Sequence, residues 1–188
     1  MDIDAWWGFV ERARASAGDR ADDRDPPNDP LVPHLVDQLA ALPPEQIIAF
    51  GGTFSEIWSS AYRYSLWGAA YLIEGGCGDD GFMDFRAGLI LLGRDTFTRA
   101  LEDPDSLAEL PVVNRMAHDD KGWIGCEGMN YVSRIAYGRR QGETDSYDAY
   151  HEALPRPGRL EPPTGENWDF EDEDEMRRRL PRLAELFL

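Results

Sequence analysis

The stretch from Glu74 to Arg94, EGGCGDDGFMDFRAGLILLGR, gathers more chemically capable side chains than any other part of this sequence. Asp79 and Asp80, close to Glu74, are carboxylates of the kind that hold a divalent cation or divide general acid and base roles. Cys77 precedes an apolar, helical-looking run, and the start of a helix lowers a thiol pKa. Each feature also has a plainer reading. An Asp before an apolar helix is what an N-cap needs, and the spacing lacks the alternation and closing Glu of a calcium loop. A cysteine nucleophile wants a His, but His34, His118 and His151 lie far off in sequence and carry no motif. Capping aspartates and a packed thiol are therefore the expected roles, with Arg86 and Arg94 pairing with these acids or with other surface carboxylates. Just upstream, Trp67 and Tyr71 belong to a set of aromatics at helical spacing, which suits a core more than a ligand cleft. Trp67, Tyr71, Cys77, Asp79, Asp80, Arg86 and Arg94 are the candidate ligand-binding set. No catalytic residue, metal site or cofactor is assigned. Glu127, between Cys126 and Gly128, is a candidate buried carboxylate.

Helices must position these residues, because no stretch alternates apolar and polar side chains long enough to build a sheet. An opening helix capped by Asp2 or Asp4 presents Ile3, Trp6, Trp7, Val10 and Ala13 on one face and ends near Gly18. Residues 19–30 read as a tether. A second helix carries Leu31, Leu35, Leu39 and Leu42, and Pro43-Pro44 stops it and starts a third. Gly51-Gly52 weaken that third helix, so it kinks there or is backed by its neighbours. Residues 66–73 form a buried central helix, the next helix follows Gly75, Gly76 and Gly78, and Gly93 marks a joint to a short helix ending near Leu101. The segment DSLAEL reads as a helical turn or two, residues 111–122 as loop, and residues 123–141 as helical. Residues 154–168 should lie irregularly over the surface, before a C-terminal helix that Pro181 bends or splits. The expectation is an all-α, single-domain, irregular bundle of six or seven helices. The helical domain spans 1–153, and residues 154–188 add a Pro/Gly-rich connection and an acidic helix that packs on it or extends from it.

The charge is lopsided, with 36 acidic residues against 19 Lys and Arg and a formal net charge of −17. Binding a phosphate backbone or an anionic membrane needs the opposite sign, so generic nucleic-acid and membrane roles are disfavoured. The block from Glu166 to Glu175 concentrates carboxylates that attract basic partners, although a solvated helix start explains it as well. Two cysteines without a CxxC pair suggest free thiols in a reducing compartment. The opening residues lack a basic leader and no apolar run is long enough to span a bilayer, so a cytoplasmic location is expected.

The string YRYSLWGAAYLIEGGCGDDGFMDFRAGLILLGRDTFTRALEDPDSLAEL, with the MDIDAWWGFVERARA opening, resembles the domain of unknown function 4240, a family common in actinobacteria. The resemblance runs from residue 1 to about 150, and GGCGDDGF and FRAGLILLGR are its most specific blocks. It implies an all-helical domain and, by the family's name, no assigned activity. Against that pattern Gly88 stands where a large aromatic is usual, Ser65 where an acid is usual, and Gly51-Gly52 where polar helix formers are usual. The Gly88 departure implies a pocket, a repacked core or a contact site nearby. Taken together, the expected role is a non-enzymatic accessory or regulatory module that binds a basic protein partner. The alternatives are a small-ligand binder or enzyme at the GGCGDDGF turn and, less favoured, a nucleic-acid-binding regulator.

Overall fold

The structure, a computed structural model, describes residues 1–23, 29–119, 121–142, 147–154 and 161–188. Among them are eleven α-helices and no strand: α1 (Ile3–Ala17), α2 (Leu31–Ala40), α3 (Pro44–Ser60), α4 (Tyr64–Ile73), α5 (Asp79–Leu91), α6 (Arg94–Glu102), α7 (Pro111–Asp119), α8 (Val132–Gln141), α9 (Tyr147–Ala153), α10 (Glu173–Arg179) and α11 (Pro181–Phe187). The fold is all-α, as the absence of alternation implies. None of its described helices is long and apolar enough to cross a membrane. The central residues of the proposed tether, 24–28, and of the irregular segment, 155–160, lie outside the described residues.

Capping and periodicity set α1 as read. Asp2 Oδ1 accepts from the amides of Asp4 at 3.0 Å and Ala5 at 3.1 Å, and Gly18 closes the helix. Trp6, Trp7, Val10 and Ala13 are buried, but Ile3 is 49% exposed, because the first turn projects past the core. Trp6 stacks on Phe50 with ring centroids 4.9 Å apart and donates its indole N–H to the Phe50 carbonyl at 3.1 Å. An indole buried without that acceptor would leave its polar end unsatisfied.

The helix count exceeds expectation for local reasons. Residues 111–119 form α7 instead of loop. Nine residues are too few to show a period, and Pro111 at its start conceals a helix that packing stabilises. Val112 and Val113 are buried, and the Asn114 side-chain amide ties the helix to the carbonyls of Ala108 and Leu110. Helix α9 was likewise not anticipated, and Pro181 splits the last helix in two. α3, in contrast, runs unbroken through Gly51-Gly52. A Cβ on Gly51 would lie 2.2 Å from the Tyr150 hydroxyl, which pairs with the Ser133 hydroxyl at 2.6 Å. The propensity cost of about 1 kcal/mol for a mid-helix glycine is thus offset by a close seat for Tyr150.

The core lies where α2 packs on α1 and α8, and α3 on α8. α11 docks onto α4, α7 and the 3-10 turn Pro104–Glu109. Its N-terminus is capped by another element. The buried Asp105 accepts from the amides of Arg182 at 3.0 Å and Leu183 at 2.9 Å, and the Arg182 guanidinium reaches Asp103, Asp105 and Glu109.

Candidate functional site

Helix α4 ends at Glu74, and the chain reverses through Gly75 and Gly76, at φ 66° and 118°, a region where side-chain-bearing residues are strained. The Gly76 amide donates to the Tyr71 carbonyl at 2.8 Å, and the Trp67 indole donates to the Cys77 carbonyl at 2.8 Å, which pins the turn to α4. Trp67 also stacks on Phe82 at 4.9 Å, which fixes α5 against the same helix. The segment 123–131 closes over α5 from the other side: the Cys126 amide donates to the Asp84 carbonyl at 2.9 Å, and the Asn130 side chain to Asp84 Oδ1 at 2.9 Å.

These contacts bring Glu74, Cys77, Asp84, Asn130 and the backbone at Gly125 together. Burial pushes the Glu74 carboxyl up to about 7, and the Asp84 charge adds to the rise, against smaller opposing effects from the Cys77 thiol and the Gly125 amide. Its position at the C-terminal, negative end of α4 acts in the same sense. Glu74 Oε1 is buried without a hydrogen-bond partner of ordinary geometry, although the Gly125 amide is close enough to act electrostatically. Burial, then the Glu74 charge, raise the Cys77 thiol well above its usual range. Asp84 is raised by burial and by Glu127 and Asp80, with Asn130 opposing. At the rim, the Tyr131 hydroxyl donates to Glu127 at 3.3 Å, and Arg134 stands 5.3 Å over the Tyr131 ring.

Several sequence expectations change here. Gly78, not Asp79 or Asp80, is the N-cap of α5, and it makes no side-chain cap bond. Both aspartates lie exposed in the first turn, where they favour the helix dipole without closing a site. Cys77 is held as a thiol, the reverse of an activated nucleophile, because burial beside carboxyls outweighs the helix start. No His is among the groups that set its ionisation. Among the described residues Arg86 pairs with no acid. It is buried at 3% exposure, with its guanidinium 3.6 Å from the Trp58 ring centroid and 4.6 Å from that of Tyr62, and it donates to the carbonyls of Phe82 and Trp58. A cation that donates to a carbonyl near the end of α3 in this way is a structural part, and burial lowers its pKa to about 10. Glu127 is exposed, not buried.

Arg94 does pair with surface carboxylates, but at the far end of α5, roughly 20 Å along a helix of this length. It meets Asp4 at 2.6 Å, and its amide donates to Glu11 at 3.2 Å, beside an open cleft of about 440 Å³ lined in part by Arg14, Gly93 and Asp95. Tyr71 and Trp67 face Phe170, at 5.7 Å and 6.2 Å. Gly88 is buried within α5. The candidate set is therefore divided: Trp67 and Cys77 frame the turn, while Arg86 and Arg94 serve elsewhere. Asp84, Asn130, Gly125 and Tyr131 were missed. Asp84 alone left a signal, one turn beyond Asp80 on the same helix. Among the described residues no group of three His, Cys, Asp or Glu side chains is arranged to hold a metal ion.

No curated protein and no solved structure matches the chain. The sequence profile of one family, "Protein of unknown function (DUF4240)", matches residues 1–139, which take in the turn, α5 and the 123–131 segment that closes over it. On that match, the chain belongs to the DUF4240 family.

Proposed function

We propose that the protein is a non-enzymatic binding module that recognises a basic segment of a protein partner at the face where the α4–α5 turn meets residues 123–131. The observation that carries this reading is the buried, unpartnered Glu74 carboxyl oxygen within a face whose other acids, Asp80, Asp84 and Glu127, have no Lys or Arg ion pair among the described residues. A Lys or Arg side chain entering there would satisfy Oε1 and offset the burial and, to a lesser degree, the neighbouring negative charge that raise Glu74 and Asp84. The net charge of −17 steers a basic partner toward the molecule, with strong dependence on salt.

Proton release tests this reading. Glu74, at about 7, is near half protonated at neutral pH, so a bound cation should expel up to about half a proton. Octalysine titrated calorimetrically at pH 7, in two buffers of different ionisation enthalpy, should bind more weakly as salt rises and release protons. The Glu74→Gln protein should bind without that release. No heat at low ionic strength, or identical release from the variant, would defeat the reading.

A second reading rests on the same group. A carboxyl near 7 suits general acid and base work on a small ligand. It would be favoured if a neutral ligand, bound with no salt dependence, shifted the Glu74 carboxyl resonance.

A further inference from the structure

Beyond the family's matched residues, the chain returns across α4. The Tyr64 amide donates to the Thr164 carbonyl at 3.0 Å and the Thr164 amide to the Tyr62 carbonyl at 2.9 Å, an isolated bridge pairing Arg63 with Thr164. Farther along, the Cζ2 edge of the Trp168 ring abuts the backbone of α4 at Gly68, where a Cβ would come within 2.4 Å of it. Phe170 then covers Trp67 and Tyr71. Arg179 stands 4.6 Å over the Trp168 ring and pairs with Glu166 at 2.9 Å.

Three features make this contact separable from the core. Most of residues 161–172 face water, so two rings, a few backbone bonds and the contacts of Arg179 with Glu166 and Trp168 hold the segment down. The Trp168 indole N–H is buried with no acceptor, and an unsatisfied donor of that kind opposes closure. The chain beyond is anchored independently: Met176, Leu180 and Leu183 are buried and Asp105 caps α11, so lifting the segment leaves its tether in place.

We infer that residues 161–172 form a strap that opens while the domain stays folded, and that the slot it vacates receives an aromatic side chain flanked by a carboxylate from a partner segment. The slot has Gly68 as its floor, with Trp67 and Tyr71 alongside and Arg179 at its edge. Trp168 and Glu166 supply that chemistry from within the chain. The Gly68 floor admits the edge of a ring, because only a backbone stripped of Cβ lets a ring approach so closely. The surface adjoins the acidic face proposed above through Trp67 and Tyr71, which also hold the turn, and its partner has the opposite charge.

Hydrogen exchange on the intact protein tests the opening. The Trp6 indole N–H, bonded to Phe50 in the core, reports global unfolding, while the Trp168 indole and the Thr164 amide report the strap. The strap positions should exchange at least about 100-fold faster than Trp6. Equal rates would overturn the inference, because the segment would then open only with the whole domain. The slot is tested with a full-length Trp168→Ala, Phe170→Ala protein and a synthetic peptide of residues 161–172. The peptide should bind saturably and perturb Trp67 and Tyr71, and adding Gly68→Ala should abolish binding. A folded variant that ignores the peptide rejects the slot, and should the variant fail to fold, the exchange rates of the unmodified protein decide.

Discussion

The α4–α5 turn and the C-terminal arm are both dense in carboxylates, and the structure treats them in opposite ways. In the arm, Glu173 pairs with Arg177 at 2.8 Å, Glu175 with Arg178 at 2.7 Å and Arg179 at 2.8 Å, and Glu166 with Arg179. Hydrogen bonds from Arg178 and Arg179 pull Glu175 down to about 2. At the turn none of Glu74, Asp80, Asp84 and Glu127 has a Lys or Arg ion pair among the described residues, and burial pushes Glu74 up to about 7. The density of acids along a sequence therefore says little about the field that a partner meets. The arm, an acidic block that could attract basic partners or simply open a solvated helix, pairs three of its seven acids from Glu166 to Glu175 with Arg177, Arg178 and Arg179. The shorter acidic run at the turn keeps its charge uncompensated because its neighbours come from other elements that bring more acids.

The sharpest way to break this contrast is at Asp105, the buried acid that joins the arm to the body. Asp105→Ala should lower stability by about 2–4 kcal/mol, since it removes the cap of two amides and one of the three carboxylates that Arg182 reaches. The denaturant midpoint should fall, and a change within about 0.5 kcal/mol would mean that the arm contributes little to the fold.

Glu74→Gln should act in the other direction, with a smaller effect. A carboxyl raised in the folded state binds more protons than its unfolded counterpart between about pH 4.5 and 7. Its effect on stability therefore worsens as pH rises through that window. The amide should stabilise the protein at pH 8 by about 1–2 kcal/mol, less than ideal linkage because the carboxyl keeps some contact with water, and should flatten the pH dependence. Thermal melts at pH 5 and pH 8 read both effects. A destabilising result at pH 8 would show that Glu74 is already compensated.

The smallest effect belongs to Glu175→Gln. The native carboxylate, lowered to about 2, contributes stability that is present above its unfolded value and lost as pH falls toward 2. Being solvent-exposed, it should show a small difference that fades in high salt. An effect that persists in 1 M salt would mean that the arm's pairing is shielded from solvent after all.

Much of the framework was legible because its signals are local. Asp2 capping α1, the periodic burial of Trp6, Trp7 and Val10, the helix breaks at Pro43-Pro44 and Gly93, and the split at Pro181 all depend on residues a few positions apart. α7 was not legible, since its nine residues are helical through packing and through Asn114 reaching back to Ala108 and Leu110. The site was legible only in part. The turn is written in its glycines, yet Asp84, Asn130 and Gly125 join Glu74 only when segment 123–131 folds over α5. Arg86 misled for the same reason, because its partners, Trp58 and Tyr62, stand at the end of a different helix.

By itself the sequence determined helix class, the main chain reversals and the excess of negative charge, because propensity, capping and composition act over a few residues or none at all. The tertiary structure alone decided which charges are neutralised, which glycines seat a ring or a hydroxyl from a distant segment, and that one carboxyl oxygen of Glu74 is buried without a hydrogen bond. Solvation and pairing depend on every group within a few ångströms, and most of those groups come from far along the chain.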